Sequence, residues 1–315
     1  MDVLDTRRLA VAGYNDKTKC SFIDLFMLQF DPDSQEKPLL LTSEPYYSEE
    51  FTEFGSEWRT VCLLDDRLFL TCCRNTISLY DSSNGGLVNQ GKFKGKARCM
   101  TTRDGLVYVG LLGSNRVIVL DARELRRKKT ITLNGLERLD WPREIAVSNN
   151  KVFICAGWDR ALMYNSKGEI EQEYTNTQYR GAYSITVSEE KGLIFILWSE
   201  GGSSQVVVYS LSGGHSSISG GHSSISGGHF SISGGHSSIS GGHSSISGGH
   251  SSISGGHISA SFKVPDTSRR IRINNNINRL LLVTGTTGEV YEYHTLNKLG
   301  VILCEQVRRK HSNMF

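Results

Sequence analysis

From Pro142 to Asn176 the chain reads PREIAVSNNKVFICAGWDRALMYNSKGEIEQEYTN, and the alternation of apolar runs with turn residues in that stretch decides the fold. Glu144 to Ser148, Val152 to Ala156, Ala161 to Tyr164 and Glu169 to Tyr174 are short runs rich in β-branched and aromatic residues, the composition of strands. Asn149-Asn150, Gly157-Trp158-Asp159-Arg160 and Asn165-Ser166-Lys167-Gly168 separate them at hairpin spacing. A four-stranded antiparallel unit of this length, repeated in tandem, is the pattern of a β-propeller blade.

The same unit recurs along the chain. Its second strand reappears as RLAVAG (8 to 13), RLFLTC (67 to 72), LVYVG (106 to 110), LIFILW (193 to 198) and LLLVTG (280 to 285). These runs are apolar almost throughout, as expected of strands covered on both faces. Third strands are expected to end at Phe30, Tyr80, Leu120, Tyr164, Tyr209 and Tyr293. Fourth strands are expected at 38 to 43, 87 to 93, 128 to 133, 169 to 174, 258 to 264 and 300 to 307. Successive third-strand ends lie 50, 40, 44, 45 and 84 residues apart, and the last step holds seven tandem copies of SGGHSSI from Ser212 to Ala260. Without those 49 residues the chain has 266, about 44 for each of six units. The expectation is therefore an all-β, six-bladed β-propeller. Blades one to five fill 1 to 211, the heptads form a flexible insertion in blade five over 212 to 260, blade five ends and blade six follows over 261 to 307, and 308 to 315 form a basic tail.

Composition narrows the class. Hydrophobic residues at 38% against 21% charged describe a globular chain with ample core, and a net charge of +3 decides nothing until the charges are placed. The N-terminal MDVLDTRRLAVAGYND has acids and arginines where a signal peptide needs an apolar centre, and no apolar run reaches the roughly 20 residues of a membrane span. The cytoplasm, or the nucleus, is the expected compartment, with no membrane association. Of seven cysteines, Cys62, Cys72, Cys99, Cys155 and Cys304 lie inside apolar strand runs and read as reduced core thiols.

PREIAVSNNKVFICAGWDRALMYNSKGEIEQEY and DGLVYVGLLGSNRVIVLDARE together resemble NHL repeats, whose pattern runs P-x-G-I-A-V, I-Y-V-A-D, N-R-I-x-V-F-D and then G. The resemblance spans about four of the six units. Glu144 stands where the repeat carries glycine, and Cys155, Leu111 and Trp198 stand at or near its strand-end aspartate. The G-H and W-D signature of WD repeats is missing. Similarity to NHL propellers, including those of tripartite-motif proteins, implies a platform that binds protein or RNA. No RING or B-box pattern accompanies it, so ligase activity is not implied.

The loops that lead into the innermost strands of a propeller gather at one mouth of its channel. Aligned on the repeat, Arg59, Arg98, Arg143 and Arg269 share one position just ahead of that strand, and Arg180 falls three residues earlier. Lys94 and Lys96 precede Arg98, Arg138 precedes Arg143, and Trp58, Trp141 and Tyr179 interleave them. Guanidiniums converging on one concavity reinforce each other's field, and each can grip phosphate or carboxylate with two hydrogen bonds. Aromatics beside them can stack on unpaired bases. The expected partner is an acidic or phosphorylated protein segment or a single-stranded RNA. The alternative is a solvated rim, each arginine paired locally with Glu57, Glu137, Asp140, Glu144 or Asp266.

Seven of the nine histidines fall in the heptads, which would suit a metal, but Gly-Gly before each one describes a flexible chain that must be ordered before it can close a site. A metal-binding or pH-responsive tether and an ordered stacked array are the other two possibilities. No cofactor, metal or catalytic residue is expected elsewhere. The channel lacks the histidines and carboxylates of propeller lactonases and lyases, and H-E-x-x-H, G-x-S-x-G and Walker sequences are all missing. The expected protein is a binding module and not an enzyme.

Overall fold

The structure is a computed structural model. It describes residues 2–4, 8–15, 20–29, 40–41, 46–51, 59–136, 142–156, 159–176, 178–211, 215–219, 223–226, 229–233, 237–240, 244–247, 258–264, 268–274, 279–284, 290–298 and 301–308. No helix of the described residues is long and apolar enough to cross a membrane.

The first sheet joins β1 (Asp2–Leu4), β2 (Arg8–Asn15) and β3 (Cys20–Gln29), with β4 (Leu40–Leu41) and β5 (Tyr47–Phe51) both paired to β3. Here the third strand has two partners. Of 38 to 43 the described residues Leu40 and Leu41 pair at the far end of the ten-residue β3, the others lying outside the described residues, and Tyr47–Phe51 supplies a second, longer partner. Three sheets then follow in simple antiparallel order: β6 to β9 (Arg59–Leu63, Leu68–Cys73, Thr76–Asp81, Gly86–Lys92), β10 to β13 (Ala97–Arg103, Leu106–Leu111, Arg116–Asp121, Arg127–Thr132) and β14 to β17 (Glu144–Ser148, Lys151–Ala156, Arg160–Tyr164, Ile170–Thr175). These match the strands expected from the repeat to within two residues.

The next sheet contains β18 (Gly181–Ser188), β19 (Leu193–Glu200) and β20 (Ser203–Ser210), and the chain then enters the heptads. The described heptad residues differ from the expected flexible coil. β21 (His215–Ser219), β23 (His229–Ser233) and β25 (Ser244–Ser247) form one parallel ladder, and β22 (Ser223–Ser226) and β24 (Ser237–Ser240) form another. Near-identical segments two heptads apart can satisfy each other's backbone groups in register, which a sequence of glycine and serine does not announce. β26 (Ile258–Val264) returns to pair with β20 and completes the four-stranded sheet. The last sheet is β27 to β30 (Ser268–Asn274, Arg279–Thr284, Val290–Lys298, Val301–Arg308). Its β29 runs to Lys298, past the expected end at Tyr293.

Packing explains why the second strands are apolar throughout. Along β15, Val152, Ile154 and Ala156 enter a core shared with the preceding sheet, together with Val117, Val119 and Ile131. The alternate residues Phe153 and Cys155 enter a core shared with the following sheet, together with Ile185, Ile196 and Trp198. A strand with a core on each face has no solvent side, so its period of two carries no polar residues. Each fully buried leucine, isoleucine or phenylalanine contributes about 1.5–3 kcal/mol. Cys62, Cys72, Cys73, Cys99 and Cys155 are buried and joined by no disulfide.

The first strands carry the arrangement that positions the site. β1 packs against β6, β6 against β10, β10 against β14, β14 against β18, β18 against β27, and β27 returns to β1. The outer strands β9 and β13 are largely exposed, and β9, β13, β17 and β26 carry a register shift near their starts against the last residues of the third strand. A bulge there twists the edge away from further pairing, which guards an exposed strand against aggregation.

Candidate functional site

Three of the first strands are irregular at the end where they begin. The register shifts between Ala97 and Cys99 in β10, between Ala182 and Ser184 in β18, and between Ser268 and Arg270 in β27. The residues set out of register are Arg98, Tyr183 and Arg269. An extra residue in a strand redirects its side chain, and such bulges gather beside functional sites. β14 keeps regular pairing and begins at Glu144, with Arg143 immediately ahead of it.

Glu144 is the centre of the cluster. It is 2% exposed, and its carboxylate accepts hydrogen bonds from Arg270 Nη1 and, at 2.9 Å, from Arg272 Nη2. Ser184 Oγ lies 3.4 Å from Glu144 Oε2 and accepts from the Ile271 amide at 3.2 Å. Arg270 Nη1 also donates to the Arg143 carbonyl at 2.9 Å, and Arg272 Nη1 donates to the Ile271 carbonyl at 3.1 Å. β14 and β27 are not adjacent, because β18 packs between them. The ion pairs therefore cross the interior of the cycle of first strands.

Arg98 and Arg143 complete the group. The Arg143 guanidinium sits 3.8 Å from the centroid of the Tyr183 ring, a cation–π contact that fixes its direction. Burial lowers the pKa of Arg98, and the positive charge of Arg143 lowers it further. Burial likewise brings Arg270 down to about 10, with Arg272, Arg98 and Arg143 adding repulsion. At about 10, Arg270 stays charged at neutral pH. Burial pushes the Cys99 thiol up to about 12, opposed by the field of Arg270 and Arg98, so it is an uncharged filler beside the cations. Arg270 and Arg272 already outnumber the Glu144 carboxylate, and Arg98 and Arg143 add two more positive charges within Coulombic reach.

Other residues expected at this mouth are placed differently. Arg180 is 82% exposed, its amide bonded to Glu200 Oε2 at 3.1 Å and its side chain 3.9 Å from Glu200 Oε1. That is the local carboxylate pairing of a solvated rim. Lys96 is exposed beside the start of β10, and its carbonyl accepts from the Leu112 amide. Tyr179 is half-buried against the core between the fourth and fifth sheets, with its amide held by Asn176 Oδ1 at 3.1 Å. Arg59 opens β6 and Arg269 is the second residue of β27, with side chains outside the described set. Trp58 and Trp141 lie outside the described residues.

Alignment on the repeat selected Arg269 and missed Arg270 and Arg272, and it named Glu144 only as a local partner for an arginine of the rim. The signal for the first two was present: SRRIRIN places Arg270 and Arg272 on one face of a strand and Ile271 and Ile273 on the other. The signal for Glu144 was its place at the head of a buried apolar run, where the repeat carries glycine.

No family profile matches the sequence, and no curated protein matches it. Solved structures do match its fold. Hsv2 of Kluyvelomyces marxianus is similar at TM-score 0.51 and 10% identity, over 95% of this chain and 97% of that one. KlAtg21, solved in complex with a coiled coil of AgAtg16, is similar at TM-score 0.53 and 11% identity, over 95% of this chain and 84% of that one. The fold is of the propeller type. A hydrazine synthase of Kuenenia stuttgartiensis is also similar, at TM-score 0.50 and 12% identity, over 78% of this chain and 63% of that one, so the fold alone assigns no activity.

Proposed function

We propose that the protein is a six-bladed, NHL-like propeller of the cytoplasm that binds a protein partner and catalyses nothing, its arginine-lined mouth receiving an acidic or phosphorylated segment of that partner. The observation that carries the proposal is the meeting of Arg98, on the bulge of β10, Arg143, just ahead of β14, and Arg270 and Arg272, within β27, around one buried carboxylate. Fixed guanidiniums in a concave site hold a carboxylate or phosphate better than exposed ones, because the field is focused and little ordering entropy remains to be lost. Closure of the first strands from β27 back to β1 supports the blade count. The complex of KlAtg21 with a coiled coil supports a protein as the partner class.

Fluorescence anisotropy with the full chain tests this, using a phosphoserine-containing acidic peptide, its unphosphorylated form and a single-stranded RNA at several salt concentrations. Peptide binding that weakens with salt and falls at least tenfold in Arg98→Gln plus Arg143→Gln is the expected result. Binding of the RNA in place of either peptide would move the site to nucleic-acid recognition, and binding unaffected by the two substitutions would remove the mouth from the mechanism.

A further inference from the structure

Four guanidiniums meet around the Glu144 carboxylate, and the way they are set says more about the anion than its sign. Arg272 is buried, while Arg98, Arg143 and Arg270 are half-buried, so three of the four keep part of their surface open to an entering ligand. Gly110 lets β10 close against the start of β14, since a Cβ built there would stand 2.6 Å from Cys99 Sγ and 3.8 Å from Pro142 Cβ. Arg98 precedes Cys99 and Arg143 follows Pro142, so the two flank one close contact. Tyr183 holds the Arg143 guanidinium at 3.8 Å from its ring centroid, and Arg270 Nη1 donates to the Arg143 carbonyl, which orders these cations before a ligand arrives. Burial, and after it the neighbouring guanidiniums, hold Arg98 and Arg270 below the ordinary arginine value, the mark of like charges kept close together.

We propose that the anion selected by this mouth is a phosphate monoester dianion, held between Arg98 and Arg143. The inference rests on the mouth being the binding site, and it narrows what that site accepts. Four guanidiniums against one carboxylate leave an excess of positive charge, and each negative charge on a ligand is attracted by the whole of it. A carboxylate or a sulfate ester brings a single negative charge, as does each phosphodiester of a nucleic-acid backbone. A phosphate monoester brings nearly two, with three acceptor oxygens on one atom. Guanidiniums on two sides of such a group can each grip it through a pair of oxygens. Glu144 already gives Arg270 and Arg272 a carboxylate, so a ligand carboxylate repeats an interaction the site has satisfied, and the dianion meets the excess that remains.

Fluorescence anisotropy of the full chain tests this without any substitution in the protein, using one peptide sequence with phosphoserine, O-sulfoserine, glutamate or serine at the same position, at about pH 7.5 where the monoester is a dianion. The sulfated peptide has the tetrahedral shape and three oxygens of the phosphorylated one but a smaller charge, so the comparison isolates charge. Phosphoserine is expected to bind at least about tenfold more tightly than O-sulfoserine or glutamate. In Arg98→Gln that preference over O-sulfoserine is expected to shrink about threefold, because the second ligand charge meets a weaker field. Free O-phosphoserine, added as competitor, separates two sources of the same group: displacement at the phosphopeptide's own Kd assigns a small phosphate ester, displacement only at higher concentration assigns a chain segment, and the dianion stands in both. A preference unchanged in Arg98→Gln would overturn the placement. Equal binding of the phosphorylated, sulfated and glutamate peptides, lost for all three in Arg98→Gln plus Arg143→Gln, would overturn the dianion and leave the mouth as the binding site. Equal binding that survives both substitutions, or binding by none of the peptides, would remove the mouth as well.

Discussion

Two ion-pair environments occur in this chain, and they are not alike. Glu144 with Arg270 and Arg272 lies inside the cycle of first strands, with the Glu144 side chain 3% and the Arg272 side chain 10% exposed. Arg180 with Glu200 lies on the rim, and Arg123 with Asp65 and Lys128 with Asp121 lie beside exposed turns. Water screens the outer pairs, and each gives back in side-chain entropy much of what it gains. The inner group is shielded and cross-braced by Ser184 and the Arg143 carbonyl, so the loss of the Glu144 charge leaves two cations buried without compensation. Similar charges thus hold the centre of the molecule in one place and decorate its edge in the other.

The sharpest way to break that contrast is Glu144→Gln. The substitution keeps shape and some hydrogen bonding but leaves Arg270 facing Arg272 without a counter-charge, and a loss of about 3–5 kcal/mol is expected by chemical denaturation. Next in size is its partial reversal. Adding Arg270→Gln to Glu144→Gln removes one of the two opposed cations, so the double variant is expected to be more stable than the single one, with a coupling of about 1–3 kcal/mol. If the double variant were merely the sum of the two losses, the three residues would not form one electrostatic unit.

A smaller effect concerns the aspartates that end third strands. Asp121 accepts from the amides of Arg123 and Glu124 at 3.0 and 2.9 Å, and these bonds hold its carboxyl below the usual carboxylate range. Asp81 does the same with the Ser83 hydroxyl and amide. A depressed carboxylate pKa contributes stability that is present above the unfolded value near 3.9 and is lost as the pH falls through the folded value. Asp121→Asn should leave neutral stability nearly unchanged, because Asn165 shows that an amide oxygen closes the equivalent turn to Lys167 and Glu169. Below pH 4 the variant should lose stability less steeply than the parent, as read by thermal unfolding across pH.

The repeat was legible because packing demands it. A strand such as Val152 to Ala156 has a core on each face, so its residues had to be apolar in a row, and its turns had to be polar. What escaped was whatever depends on pairing and not on type. A register shift in β27 follows from how Ser268 and Arg270 meet Thr284 and Val283, so sequence spacing selected Arg269 while Arg270 and Arg272 hold Glu144. Glu144 stood out as a departure from a repeat, but its partners lie 126 and 128 residues away. The fourteen-residue period of the heptads was hidden for a related reason: a sevenfold repeat in sequence does not say which copies pair.

The smallest effect is expected where the contrast began, on the rim. Arg180→Ala removes a guanidinium that is 82% exposed and 3.9 Å from its carboxylate, so stability should change by no more than about 0.5 kcal/mol. Glu200→Ala removes the same pair and also the acceptor of the Arg180 amide at 3.1 Å, and it should cost somewhat more. The order matters more than either value, because a loss at Arg180 as large as that at Glu200 would mean that the ion pair, and not the backbone hydrogen bond, secures the start of β18. Raising the salt concentration separates the two contributions. The pair should weaken with added salt and the amide bond should not, so the difference between the two variants is expected to persist at 1 M salt, where the Debye length is about 3 Å.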